Sequence, residues 1–229
     1  MTYTFYTADV FTDTLFGGNQ LGVLPTAAGL TTEQMQQITR EFNFAESSFV
    51  LPPSAGHTRR VRIFTPTNEV PFAGHPNVGT AFTLAATGAF GEIRDSTTVT
   101  FEEKAGVVPI RIERRGERLF CELTAPEKLS IGKKVSPQLV AAAVSLTPDD
   151  FETDTHPPQV ASVGLPFIMV QLEDRAALKR ARIDTGAFDA LAAEGVTPDV
   201  HMYVRVPRKD ADGFDIHARM VAPLDGVSE

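Results

Sequence analysis

From Asn77 the chain reads Asn-Val-Gly-Thr-Ala-Phe-Thr-Leu-Ala-Ala-Thr to Thr87, with no charge on any face. A helix on a protein surface carries a polar stripe, so a helix of this composition is expected to be buried all round. Pro76 suits the first residue of such a helix, where a missing N–H costs nothing. Gly88 stands just beyond its end as a stop signal. The approach, Thr-Pro-Thr-Asn-Glu-Val-Pro-Phe-Ala-Gly-His-Pro over 65–76, is too rich in proline to be regular. A buried helix enclosed by strands is therefore the main structural expectation for the first half.

Strands to enclose it are legible. Residues 2–11 and 20–24 read as strands joined by a turn around Gly17-Gly18-Asn19. A helix follows, with Thr31 as N-cap, Gln34 completing a capping box, and Met35, Ile38 and Phe42 recurring on one face. Leu30 is placed to staple onto Met35, and Asn43 suits the stop. Residues 45–51 read as a strand with Glu46 early in it, and 60–65 alternates, with Val61 and Ile63 inward. Strands at 97–101, 107–113 and 119–123 complete this half. Ala125-Pro126-Glu127 reads as the crossing into a second unit, giving domains 1–124 and 125–229. In the second, Ser136 before Pro137 caps a helix through 146, 160–172 is strand-rich, and helical stretches cover 175–182 and 186–193. Strands near 202–206 and 214–221 close the chain. A short echo links 62–69 with 219–226, each a strand running into a proline-bearing loop.

The net charge of −8 and pI near 5.2 disfavour a nucleic-acid role, which needs clustered Lys and Arg. The densest basic groups, at 59–62, 111–118 and 205–209, are interrupted in strand-like alternation and read as solvated strand faces. With Cys121 as the one cysteine, neither an internal disulfide nor a two-thiol mechanism within this chain is available. His57, His75, His156, His201 and His217 show no metal-ligand spacing, so no metal site is expected. The longest apolar runs fall short of the ~20 residues that span a bilayer, and the start lacks the pattern of a signal peptide. A soluble, cytoplasmic protein without a membrane partner is expected.

Nucleotide-binding glycine loops, the G-x-S-x-G elbow and H-E-x-x-H are absent. Two features stand out instead. Glu46 places a carboxylate in an otherwise apolar strand, Phe44 to Val50. On a solvated edge it is an ordinary surface residue. Facing inward, desolvation would raise its pKa toward neutrality, as suits a group that takes a proton and returns it. The second feature is Gly74-His75-Pro76-Asn77 at the start of the buried helix. Free N–H groups and the positive dipole end form a ready anion site there, and Gly74 lets a ligand approach the backbone. The plainer alternative is that His75 only caps and packs.

Longer strings carry a resemblance. Asp9-Val10-Phe11-Thr12 with Phe16-Gly17-Gly18-Asn19-Gln20-Leu21-Gly22-Val23, then Arg40-Glu41…Asn43…Glu46-Ser47…Phe49-Val50, are similar to segments of the PhzF family of phenazine-biosynthesis proteins. Arg62-Ile63-Phe64-Thr65-Pro66…Glu69-Val70-Pro71-Phe72-Ala73-Gly74-His75-Pro76…Gly79-Thr80-Ala81 resembles its most specific string, and Gly164-Leu165-Pro166-Phe167 and Arg219-Met220…Pro223…Gly226 extend the likeness.

The resemblance implies an α+β, diaminopimelate-epimerase-like fold: two similar domains, each a twisted sheet wrapped around a central helix, with the site in the cleft between them. It implies a homodimer without metal or organic cofactor. The implied activity is a cofactor-independent isomerase moving a proton on a small carboxylate-bearing metabolite. Glu46 is the implied acid/base and His75 its catalytic companion, with Asn19 and Gly74 lining the substrate site. A metabolite-binding protein without turnover, or an epimerase or dehydratase on the same scaffold, are the alternatives. The family's next motif supplies an Asp and a Ser at a second helix start. Glu229 matches its first letter, so the C-terminal domain is expected to be incomplete at that end.

Overall fold

The computed structural model describes residues 2–207 and 213–227. Lys209, in the last basic group, and Glu229, the opening letter of the expected motif, lie outside the described residues. The chain divides into two compact units, Met1–Lys128 and Leu129–Glu229, the division falling slightly beyond the expected crossing.

The first unit is built from β1 (Tyr6–Val10), β2 (Asn19–Leu24), α1 (Thr32–Phe42), β3 (Glu46–Leu51), β4 (Arg59–Phe64), β5 (Glu69–Val70), α2 (Gly74–Ala86), β6 (Ser96–Glu103), β7 (Gly106–Arg115) and β8 (Arg118–Leu123). Its sheet runs β1-β2-β3-β4-β6-β7-β8, with β5 paired to β4. The β2–β3 and β4–β6 pairs are parallel and the others antiparallel. Both edge strands reach α2, which also packs on β2, β3 and β7, so the sheet rolls round the helix. Gly79 allows the close approach: a Cβ there would come within 2.6 Å of Leu21 Cδ2 and Val10 Cγ2.

The capping signals of α1 are realised. Thr31 and Gln34 form the reciprocal box, and Asn43 closes the helix in the left-handed conformation with φ 54°. Met35 packs with Leu24, Phe49 and Phe64, and Leu30 joins that cluster. Strand β3 thus lies between two layers. Phe49 faces α1, while on the alternate face Ser48 accepts a 2.7 Å hydrogen bond from Thr80 of α2. Glu46 shares the face of Ser48.

Two expectations about α2 are corrected. The helix begins at Gly74, not Pro76. Proline is tolerated throughout the first turn, because none of those N–H groups has an intrahelical acceptor. Nor is it buried all round: Phe82 is 42% exposed and Ala86 is exposed, with Val78 between the extremes. These three share one stripe at i, i+4 and i+8. The rolled sheet does not close, and Val78 and Phe82 line a groove with Val10, Phe11 and Phe120.

The second unit holds β9 (Ser130–Lys134), α3 (Pro137–Ala143), β10 (Gln159–Ser162), β11 (Pro166–Gln171), α4 (Arg175–Arg180), α5 (Thr185–Ala192), β12 (Val200–Arg205) and β13 (Ile216–Val221). Its sheet runs β13-β12-β11-β10-β9, with only β11–β12 parallel. Ile168, Val170, Val200, Met202 and Val204 share a core with Val140, Leu178, Phe188 and Leu191 of the helices. Asp174 and Asp184 cap α4 and α5 through their side chains. After β13, Pro223–Asp225 makes a short 3-10 turn, where the turn after β4 instead leads by way of β5 to α2.

Candidate active site

Glu46 begins β3 opposite Leu21 of β2, and its side chain turns inward. Glu46 is 7% exposed and His75 8%. His75 is the second residue of α2, and its Nδ1 stands 3.3 Å from Oε2 of Glu46. Its Nε2 stands 3.3 Å from the backbone carbonyl of Gln20 on β2. The ring is thus held between two neighbouring parallel strands by one atom on each side.

The hydrogen positions follow from what each partner can do. A backbone carbonyl only accepts, so Nε2 carries the hydrogen and Nδ1 presents its lone pair to Glu46. Burial lowers the pKa of His75 to about 4, with the Gln20 carbonyl acting in the opposite direction. The ring is therefore neutral, and 3.3 Å exceeds the usual charge-assisted distance of about 2.7–2.9 Å. An ionised Glu46 would set one acceptor against another. Reversing the tautomer only moves that conflict to Gln20. A single additional proton between Glu46 and His75 removes it. The pair is chemically a proton acceptor that improves its own hydrogen bonding on being protonated.

The helix start beside this pair is open to an anion. Ala73 is the N-cap of α2 and makes no side-chain capping bond, and the first turn contains no acidic residue. The N–H groups of Gly74 and His75 have no intrahelical acceptor and stand at the positive end of the helix dipole. A Cβ at Gly74 would meet nothing within 4 Å, and this glycine is not among the positive-φ residues. Neither packing nor backbone strain demands glycine there, and the space above it is free.

The depth and rotation of α2 are fixed from elsewhere. Gly79 brings it against β1 and β2, and the buried Thr80–Ser48 bond pins it to β3. Asn77, fully buried, returns its Nδ2 to the carbonyl of Ala73 at 3.0 Å. Sequence reasoning missed the Gln20 carbonyl, which is a main-chain group without a side-chain signal, and the Thr80–Ser48 bond. Asn19 opens β2 next to Gln20, opposite Val10, and is exposed. Cys121 lies on β8 with its thiol pushed up to about 12 by burial, which keeps it neutral.

Residues 8–229 match the PhzC-PhzF family, described as phenazine biosynthesis-like protein. The chain belongs to this family. It is 36% identical over 222 residues, 94% of its length, to the protein named uncharacterized isomerase mll1393 of Mesorhizobium japonicum. It is 35% identical over 178 residues, 77% of its length, to the trans-2,3-dihydro-3-hydroxyanthranilate isomerase of Pseudomonas aeruginosa. The crystal structure of the Bacillus anthracis phenazine biosynthesis protein of the PhzF family superposes with a TM-score of 0.82 and 26% identity over 100% of this chain. The chain spans 71% of the Mesorhizobium protein, 59% of the Pseudomonas isomerase and 75% of the Bacillus chain. A probable proline racemase from Agrobacterium radiobacter K84 superposes with a TM-score of 0.56 at 13% identity, covering 90% of this chain and 68% of its own. That likeness concerns the fold alone, an α+β architecture with two sheets.

Proposed function

We propose that this PhzF-family chain is an isomerase that moves a proton on a small carboxylate-bearing metabolite through its own acid–base groups, without a metal or organic cofactor. The observation that carries the reading is the buried Glu46–His75 contact of 3.3 Å beside an uncapped helix start. In the proposed reaction the substrate carboxylate sits at the N–H groups of Gly74 and His75, over the space that Gly74 leaves free. Ionised Glu46 removes a proton from carbon adjacent to an unsaturated system. The electron pair shifts along that system, and negative charge develops next to the helix dipole, which opposes its loss to solvent. Protonated Glu46 then donates to Nδ1 of His75, ending the contact between two acceptors, and afterwards returns the proton at a different carbon. Bonds broken and formed balance, with no net redox change. Asn19 is assigned a substrate-lining role on the strength of the family resemblance. The names of the relatives support the class of reaction: both the Mesorhizobium and the Pseudomonas proteins are named isomerases.

Positioned acid–base catalysis contributes about 10²–10⁴-fold. Glu46→Gln keeps the shape and removes the exchangeable carboxyl. With trans-2,3-dihydro-3-hydroxyanthranilate and a panel of small cyclic carboxylates in deuterated water, the unsubstituted protein is expected to introduce deuterium into one of them. Glu46→Gln is expected to reduce that exchange at least ~10²-fold while binding the same compound within a few-fold. Unchanged exchange in the variant overturns the role of Glu46. Binding by the unsubstituted protein without any exchange replaces the isomerase reading with that of a metabolite-binding protein.

A further inference from the structure

The helix start that carries Gly74 and His75 follows a strand of two residues. Strand β5 pairs Val70 with Ile63 and Glu69 with Phe64 of β4. Only the three residues 71–73 separate it from α2. Pro71 has a fixed φ, and Phe72 and Ala73 are buried, so the place of β5 sets where α2 begins. The ladder alone is a weak hold. Strand β4 pairs with β6 at Arg59↔Phe101 and Arg60↔Glu102. Beyond them a cavity of about 310 Å³ opens, lined by Arg60–Ile63, Glu69–Pro71 and Glu102–Lys104. Two ladder pairs beside a cavity do not fix a strand by themselves.

A largely buried ion pair supplies the rest. Arg62 of β4 donates from Nε to Oε1 of Glu69 at 2.8 Å and from Nη2 to Oε2 at 2.7 Å, a two-pronged contact. The two side chains are 16% and 10% exposed. The guanidinium lies 5.0 Å over the ring of Phe64 and gives a further bond of 3.0 Å to Oγ1 of Thr32, the first residue of α1. Just past β6, Lys104 donates to Oε2 of Glu69 at 2.7 Å. The next residue, Ala105, gives its N–H to the Pro71 carbonyl at 3.1 Å. Burial acts to raise the Glu69 carboxyl, but the bonds from Arg62 and Lys104 outweigh it and hold the group below its ordinary value. Helix α1 also ties down the turn before β5, where Gln36 and Arg40 donate to the carbonyls of Thr65 and Pro66 at 2.8 and 3.0 Å. Glu69 thus joins β5 to β4, to α1 through Arg62, and to the end of β6.

We propose that Arg62 and Glu69 form a clamp that positions the start of α2, keeping the N–H groups of Gly74 and His75 open to a carboxylate and the His75 ring between Glu46 and the Gln20 carbonyl. Both are positioning residues, acting through β5 and residues 71–73 rather than on a substrate. Gly79 and the Thr80–Ser48 bond fix the body of the helix. The clamp fixes the approach to it. Its meaning for catalysis rests on the acid–base reading proposed above, whereas the placement of His75 does not depend on turnover.

The test reads His75 directly, at neutral pH and without a substrate. In protein labelled with ¹⁵N-histidine, the His75 signals are identified by their absence from His75→Gln. The unsubstituted ring is expected as a single tautomer with its hydrogen on Nε2, held by the Gln20 carbonyl. Glu69→Gln keeps the shape and removes the charge that Arg62 and Lys104 share, and its His75 is expected to average over both tautomers. Arg62→Lys keeps the charge and gives up the two-pronged contact, and is expected to move the same signals in the same direction by a smaller amount. A mixture of tautomers in the unsubstituted protein, or a single Nε2–H tautomer kept in Glu69→Gln, overturns the proposal. If Glu69→Gln does not fold, Arg62→Lys decides, and unmoved His75 signals in it overturn the proposal. A second readout uses the compound that exchanges deuterium with the unsubstituted protein. Its KM is expected to rise about tenfold in Glu69→Gln as the helix start shifts, and an unchanged KM overturns the link between clamp and anion site. If no compound exchanges, the acid–base reading falls while the tautomer measurement still decides the clamp.

Discussion

The neutrality of His75 can be tested as a stability difference. Its pKa falls from 6.5 to about 4 because burial disfavours the imidazolium. A base depressed on folding favours the folded state in its neutral form. Its contribution is whole above pH 6.5 and is lost as the pH falls from 6.5 to about 4. At about 1.4 kcal/mol per pH unit, the amount lost across that window is roughly 3 kcal/mol. The perturbation is His75→Gln, which can still offer an N–H to the Gln20 carbonyl but does not titrate. Both proteins are unfolded in urea at a series of pH values from 7 to 4, followed by far-ultraviolet circular dichroism. Subtracting the variant from the unsubstituted protein cancels the groups common to both. The difference is expected to fall by about 3 kcal/mol on going from pH 6.5 to 4, with no slope above 7. A flat difference would mean that burial does not shift His75, and one that grows toward acid would mean that His75 is an imidazolium held by ionised Glu46. The argument that the pair is short of one proton would then be wrong, and with it the proton path proposed above.

Other perturbations separate the site from its support. Gly74→Ala is expected to leave stability within about 1 kcal/mol, since its Cβ meets nothing within 4 Å. The same methyl occupies the space over the helix start, so deuterium exchange into the compound identified with the unsubstituted protein is expected to drop about tenfold or more. Equal exchange would argue against anion binding at that spot. Thr80→Val removes the 2.7 Å bond to Ser48 and leaves a buried hydroxyl unsatisfied. Chemical denaturation is expected to show a loss of about 1–3 kcal/mol, with Thr80→Ser recovering most of it.

The parts of this structure that were readable in the sequence are those governed by local chemistry. Thr31, Gln34 and Asn43 announce α1 because a cap is settled within a few residues of backbone. Pro76 marks the start of α2 only to within two residues, because proline is equally at home anywhere in a first turn. Strand β9 leaves no mark in the sequence: every residue from Ser130 to Lys134 is exposed, so no alternation signals it. The open stripe of Val78 and Phe82 depends on how far a sheet wraps, which a helix's own composition does not encode.

The two inward carboxylates show where the boundary of legibility lies. All but the last residue of β3 are buried, because α1 covers one face and α2 the other. Such a strand has no polar phase, and the direction of Glu46 was not derivable from alternation. Strand β6 does alternate, and Val99 and Phe101 put Glu103 in the core phase. The expected strand, 97–101, stops short of both glutamates, whereas β6 runs on to Glu103. A charged residue at a core position of an alternating strand is costly unless it is neutralised or paired. On Glu103 the burial prevails, and it pushes the carboxyl up to about 8.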